Sequence, residues 1–119
     1  MRFLTRKIVM PGDLNAANTL FGGTALSWVD EAAAMYVMSE IKHYRLVTKK
    51  MSEVDFIAPA RQGDMVEIGV QLKQLGKTSV TVDVEVRNER TKQIIAHIDE
   101  IVFVCLDEEG KPTKHGMVK

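Results

Sequence analysis

The stretch that decides the fold is NTLFGGTALSWVDEAAAMYVMSEI, residues 18–41. From residue 24 to about residue 42 it contains neither glycine nor proline, and alanine, leucine and methionine dominate. These residues favour a helical backbone, so the composition predicts one long helix. Because apolar side chains lie almost all the way round it, such a helix cannot rest on a wet surface. It must be enclosed by the rest of the chain.

The segments on both sides of the helix alternate between apolar and polar residues, as strands do. The clearest are residues 66–72 and 80–86, joined by a short hairpin at residues 75–79 with Gly76 at its tip. Further strands are predicted in residues 3–10, 45–58 and 94–106. The alternation changes phase between Met51 and Val54 and again around Asp99 and Glu100, which predicts a β-bulge at each place. The tail after residue 106 is polar and is expected to be loosely held.

This order of elements predicts an α+β fold in one domain, residues 1–119. A single curved antiparallel β-sheet wrapped around the long central helix would enclose it. The outer face of the sheet and its edge strand would then be available for pairing with another copy of the chain.

The composition excludes several classes of protein. Formal charge is zero, from 16 basic and 16 acidic side chains without a long block of one sign, which argues against nucleic-acid binding. The only cysteine, Cys105, cannot form an internal disulfide and is expected to be a buried, inert thiol. Neither a signal peptide nor a bilayer-spanning run is recognisable, so a cytoplasmic protein without a membrane partner is expected. The three histidines have no metal-ligand spacing, and no Gly-x-Ser-x-Gly motif is present, which argues against a metal site and a serine nucleophile.

Two adjacent acids, Asp30 and Glu31, interrupt the apolar helix. Burying an unpaired carboxylate costs several kcal/mol, roughly, so each needs compensation. One interpretation is structural, with both acids capping backbone groups or forming ion pairs. The other is catalytic, because perturbed acids concentrate at active sites.

The residues Phe21-Gly22-Gly23 directly precede the predicted helix and favour the catalytic interpretation. Glycines let a ligand approach the backbone, and a helix N-terminus offers free N–H donors to a developing oxyanion. The alternative is only a tight entry into the helix. Gly23 and Asp30 are about two turns, or roughly 10 Å, apart along the axis, too far to meet one small carbonyl within one chain. A site shared between two chains would resolve this distance, so a dimer is expected.

Three motifs together resemble one known family over nearly the whole chain. The first, MPGDLNAANTLFGGTALSWVDEAAA, has its matching residues at Pro11, Asp13, Asn15, Phe21, Gly22, Gly23 and Asp30. The second, DFIAPARQGDMVEI, and the third, LGKTSVTVDVEV, follow in order. They resemble the hotdog-fold acyl-CoA thioesterases, especially the YciA-like and cytosolic acyl-CoA hydrolase group. The resemblance implies a homodimer at least, with a trimer of such dimers as the larger alternative.

The resemblance also implies roles for individual residues. Asp30 would be the catalytic acid, acting as general base or as nucleophile, and the backbone N–H of Gly23 would be the oxyanion donor. Asn15 would lie near the thioester, and Thr48 would support the acid across the dimer. The remaining implied substrate contacts are Phe21, Gly22 and the coenzyme A hairpin of Gly76, Lys77, Thr78 and Ser79, where Lys77 could meet a phosphate or remain solvated.

The function expected on these grounds is hydrolysis of acyl-CoA to a free acid and coenzyme A, with no cofactor and no metal. The alternative is a non-catalytic acyl-CoA-binding or regulatory domain on the same fold. A hotdog dehydratase ranks last, because no histidine occurs near the start of the helix.

Overall fold

The computed structural model describes residues 1–116. Its single long helix lies between a first strand and five further strands. The elements are β1 (Arg2–Ile8), a 3-10 turn (Pro11–Asp13), α1 (Gly22–Ile41), β2 (Leu46–Met51), β3 (Val54–Phe56), β4 (Met65–Leu75), β5 (Ser79–Asn88) and β6 (Ile94–Cys105). The order strand, helix, strands is the predicted one.

The six strands form one antiparallel sheet in the order β1-β4-β5-β6-β2, and β3 pairs with β6 beyond the end of β2. Helix α1 packs across one face of this sheet. The predicted α+β architecture, a long helix against a curved antiparallel sheet, is confirmed.

The core lies between the helix and the sheet, where alternate strand residues point inward. Val80, Val82 and Val84 on β5 are completely buried, as are Ala33 and Val37 on α1. The small alanine and valine side chains let the helix lie close to the sheet, and a contact layer of this kind is the main stabilising term of the fold.

The sheet covers only one side of the helix, which corrects the expectation of a fully enclosed element. Gly23, Ser27, Glu31 and Met35 recur every fourth residue and are all exposed, Met35 at 47%. Residues at this spacing form one stripe along a helix, so α1 presents an open face of mixed polarity. Within residues 1–116, no helix is long and apolar enough to cross a membrane.

The region predicted as one bulged strand before Pro59 is two strands. The backbone leaves the β2 ladder at Ser52, whose hydroxyl accepts a hydrogen bond from the N–H of Glu100 at 2.9 Å. The ladder also slips by one residue between Thr48 and Lys50. The predicted bulge at Asp99 and Glu100 is confirmed, because these two residues lie between consecutive partners of β5 in the β6 ladder.

The outer face of the sheet carries a buried acid, Glu67 on β4, which is 2% exposed. Its carboxylate accepts hydrogen bonds from Arg87 Nε at 2.6 Å and Lys92 Nζ at 3.1 Å. Burial alone would raise the pKa of Glu67, but the two basic partners outweigh it and hold that pKa below its ordinary value.

The C-terminal segment returns along the end of the sheet instead of hanging loose as expected. Leu106 pairs with Pro112, and the N–H of Thr113 donates to the carbonyl of Cys105 at 2.9 Å. A turn at Asp107, whose carboxylate accepts backbone hydrogen bonds at 2.9 Å, reverses the chain between them. The expectation of a loosely held tail also covers residues 117–119, which lie outside the described residues.

Candidate functional site

The helix begins two residues earlier than predicted, so the double glycine belongs to its first turn. Phe21 is the N-cap, in extended conformation, and its carbonyl accepts the first helical hydrogen bond from Ala25 at 3.0 Å. No side chain of the described residues caps this end. The N–H groups of Gly22 and Gly23 therefore belong to the uncapped first turn, where a helix offers free donors and a partial positive charge.

A pocket of about 380 Å³ opens beside this helix end, between the helix and the start of β6. Two predicted site residues, Asn15 and Gly22, line it together with Phe56, Pro59 and Ile95. A methyl group on Gly22 would come within 3.2 Å of the Phe56 ring, so the glycine lets this ring lie against the helix end. The adjacent Phe21 side chain is 53% exposed.

Asn15 closes the loop that leads into the helix. Its Oδ1 accepts hydrogen bonds from the N–H groups of Ala17 at 2.9 Å and Thr19 at 3.1 Å, and its Nδ2 donates to Thr19 Oγ1 at 3.1 Å. These bonds are those of an Asx turn, in which a side chain replaces a backbone partner. In this chain, Asn15 therefore has a clear structural role at the pocket wall.

Asp30 lies further along the helix, on the flank that faces the edge strand β2. It is half-buried, and its Oδ1 accepts a hydrogen bond of 2.5 Å from the hydroxyl of Thr48. This length is typical of a hydroxyl donating to a charged carboxylate. The bond is within one chain, which differs from the expectation that Thr48 supports the acid across a dimer.

The predicted residues fall into two groups along the sheet. Phe56 is opposite Ala96 on β6, whereas Thr48 is opposite Phe103. The separation of these partners along β6 corresponds to roughly 23 Å at the usual strand rise. The pocket at the helix start and the Asp30–Thr48 pair are therefore at different levels of the same chain.

The hairpin of residues 76–79 lies at the level of the Asp30–Thr48 pair. Phe103 is opposite both Thr48 on β2 and Val80 on β5, so the hairpin end of β5 is two strands from Thr48. Two strand spacings correspond to roughly 10 Å. Lys77 is exposed at the hairpin, and a Cβ atom added at Gly76 would collide with the hydroxyl of Ser79.

The outer face of the sheet carries a cluster of two aspartates and a histidine that the sequence spacing did not indicate. Asp83, His97 and Asp99 offer ligand atoms within 4.8 Å of one another among the described residues. His97 Nε2 is already bonded to Asp83 Oδ1 at 2.7 Å, and Lys73 Nζ is 3.2 Å from Asp99 Oδ1. A hydrogen bond and an ion pair on the sheet surface therefore account for the cluster. Only strand pairing brings the residues together, so no local motif could have revealed them.

Cys105 is completely buried near the end of β6, as predicted. Burial raises the pKa of its thiol above the ordinary value, which keeps it protonated at neutral pH.

Comparison with known proteins now gives the family. Residues 17–95, most of the chain, match the family model described as the thioesterase superfamily. The chain belongs to the thioesterase superfamily. The membership expected from the three motifs is confirmed.

Curated members of the superfamily include similar proteins from two bacteria. The Escherichia coli acyl-CoA thioester hydrolase YciA is 34% identical over 113 residues, covering 90% of this chain and 85% of that protein. The uncharacterized acyl-CoA thioester hydrolase YkhA of Bacillus subtilis is 37% identical over 109 residues, covering 87% of this chain. The match covers 62% of YkhA, less than two thirds of its length.

A solved thioesterase structure confirms the fold. Cj0915 of Campylobacter jejuni, described as a hexameric hotdog fold thioesterase, superposes with a TM-score of 0.85 at 27% identity. The superposition covers 96% of this chain and 90% of that one. The hotdog fold expected from the resemblance is thus the fold of this chain.

Proposed function

We propose that the protein hydrolyses acyl-CoA thioesters to a free carboxylic acid and coenzyme A. Relatives covering most of this chain are named for this activity. The observation that carries the proposal within this chain is Asp30, a carboxylate on a largely apolar helix that is fixed by the Thr48 hydroxyl. Among the described residues Asp30 forms no ion pair with a basic side chain, and the Thr48 hydroxyl leaves its other carboxylate oxygen open to a substrate or a water molecule.

Asp30 would act in one of two ways. As a general base, it takes a proton from water while the water oxygen attacks the thioester carbonyl carbon. The carbon–sulfur bond then breaks, and the protonated Asp30 returns its proton to the sulfur, so coenzyme A leaves as the thiol. As a nucleophile, the carboxylate itself attacks and expels the thiolate, and water then opens the mixed anhydride to release the acid and regenerate Asp30. In both cases Thr48 orients the carboxylate by occupying one of its oxygens.

The oxyanion of the tetrahedral intermediate would be held by the N–H of Gly23 at the uncapped helix start. Gly23 and Asp30 are on the same continuous helix, about two turns or roughly 10 Å apart. One small carbonyl cannot contact both, so the site is proposed to combine Asp30 of one chain with Gly23 of a second. The open face of α1 and the hexameric state of Cj0915 support an assembly of at least two chains.

Coenzyme A would be held at the hairpin of residues 76–79. Lys77 offers an exposed ammonium to a phosphate, and the hydroxyls of Thr78 and Ser79 add hydrogen-bond donors. The hairpin is roughly 10 Å from Thr48, two strand spacings away, a distance that an extended pantetheine arm can bridge. The acyl chain would then point away from the hairpin, beyond Asp30.

The test is thiol release from a panel of acyl-CoAs of increasing chain length, measured for wild type, Asp30→Asn and Glu31→Gln. Glu31 is the matched control, because it is the adjacent acid on the exposed face of the same helix. We expect Asp30→Asn to lose roughly 10²- to 10⁴-fold in kcat, and Glu31→Gln to retain wild-type turnover. Absence of turnover on every chain length, or full activity of Asp30→Asn, would contradict the proposal. Tight binding in calorimetry with all substrate recovered intact would instead identify a non-catalytic acyl-CoA-binding domain.

A further inference from the structure

The returning C-terminal segment ends against the hairpin of residues 76–79. His115 is 6% exposed, although the sequence around it is polar. Its Nε2 lies 2.7 Å from the carbonyl oxygen of Gly76. A carbonyl can only accept, so Nε2 carries the proton and donates this bond. The segment therefore reaches the hairpin through a buried, directional contact.

Hydrogen bonds from both neighbouring segments hold the hairpin backbone. The N–H of Gly76 donates to the carbonyl of Ser79 at 2.8 Å, and the N–H of Cys105 donates to the carbonyl of Thr78 at 2.8 Å. His115 fixes the carbonyl of Gly76. The first two bonds belong to the hairpin and its neighbouring strand, whereas the third comes from the end of the returning segment. Lys77, within the hairpin, is exposed.

We propose that His115 is a positioning residue that holds the 76–79 hairpin ready for the phosphate-bearing part of coenzyme A. This inference rests on the proposed function, in which Lys77, Thr78 and Ser79 contact that part of the substrate. A glycine-containing hairpin without its anchor samples more backbone conformations, and binding must then order it. Loss of the anchor therefore weakens binding of coenzyme A but leaves the chemistry at Asp30 intact.

The sequence contains a matched control for this contact. His43 Nε2 also bonds a backbone carbonyl, that of Leu106, at 3.0 Å. This bond ties the end of the helix to the start of the returning segment and does not touch the hairpin. Replacing either histidine by leucine removes its bond to a backbone carbonyl and leaves an apolar side chain of similar volume.

The experiment compares wild type, His115→Leu and His43→Leu on two substrates that carry the same acyl group. One is the acyl-CoA, and the other is the N-acetylcysteamine thioester, which has no phosphate and no nucleotide. We expect His115→Leu to raise KM for acyl-CoA by roughly three- to tenfold, from the lost preorganisation of the hairpin, with kcat retained. The KM of His115→Leu for the N-acetylcysteamine thioester should not change. The KM and kcat of His43→Leu should not change on either substrate. Calorimetry should show the same loss of affinity for free coenzyme A in His115→Leu.

An unchanged KM for acyl-CoA in His115→Leu, an equal change on both substrates, or an equal change in His43→Leu would overturn the inference. If His115→Leu fails to fold, His115→Ala replaces it, since alanine also removes the donor, and the same split between substrates is expected. Failure of the proposed function is recognised separately, because wild type would then hydrolyse neither thioester. The affinity for free coenzyme A still tests the hairpin in that case.

Discussion

Replacement of Thr48 by valine tests the proposed catalytic role of the Asp30–Thr48 pair most directly. Valine has nearly the shape of threonine and suits a strand, so Thr48→Val removes the hydroxyl while leaving β2 in place. The lost bond is the 2.5 Å hydrogen bond to Asp30 Oδ1. Hydrogen bonds to charged groups contribute about 1.5–3 kcal/mol. Because Thr48 is exposed, water can replace part of this contribution, so the lower half of the range applies.

At 1.36 kcal/mol per factor of ten in rate, about 1.5–2.2 kcal/mol corresponds to a loss of roughly 13- to 40-fold in kcat. The assay is steady-state hydrolysis of the best acyl-CoA of the panel, with the thermal midpoint of each variant measured alongside. Thr48→Ser keeps the hydroxyl and should remain within about threefold of wild type. A Thr48→Val enzyme that folds normally and retains at least half of the wild-type kcat would refute the reasoning, because the hydroxyl would then not orient the acid.

Three further outcomes concern stability and reactivity. Glu67→Gln should lower the free energy of unfolding in urea by about 1–3 kcal/mol, because it weakens two charge-assisted bonds. The folded-state pKa of Glu67 is lowered. The stability advantage of wild type over Glu67→Gln should therefore be present above the ordinary pKa of 4.5 and disappear as pH falls through the folded-state pKa. An advantage that is the same at every pH would contradict this. Phe103→Ala should cost about 3–5 kcal/mol in the same assay, since Phe103 is completely buried, and a cost below about 1 kcal/mol would place Phe103 outside the core. Cys105 should react with a thiol reagent only as fast as the protein unfolds; rapid labelling of the native protein would show that its strand opens.

The long helix and the β4–β5 hairpin could be predicted from sequence because their signals are local. Helix α1 follows from a run without glycine or proline, and β5 from strict alternation of valines. The bulge at Asp99 and Glu100 could be predicted because it reverses the alternation. The start of the helix could not be placed, since glycine has low helix propensity, yet the Phe21 carbonyl accepts a helical bond and brings both glycines into the first turn.

The arrangement of the site depends on pairings between distant parts of the chain. Asp30 was identified from its neighbours on the helix, but its contact with Thr48 of the same chain depends on how β2 pairs with β6. The break in the strand at Ser52 likewise depends on a bond to Glu100. The contact between His115 and the hairpin could not be predicted for the same reason. The residues around His115 in the sequence are polar and do not indicate burial.

The continuity of α1 has a genetic consequence under the proposed arrangement. Each helix would contribute Asp30 to one catalytic centre and Gly23 to a different one, so a chain defective in one residue still carries the other. Mixed dimers of an Asp30 variant and a Gly23→Pro variant, which lacks the backbone N–H, would have one centre with both lesions and one with neither. Random mixing of equal amounts would leave roughly a quarter of all centres intact. Two individually inactive alleles would therefore restore activity when expressed together.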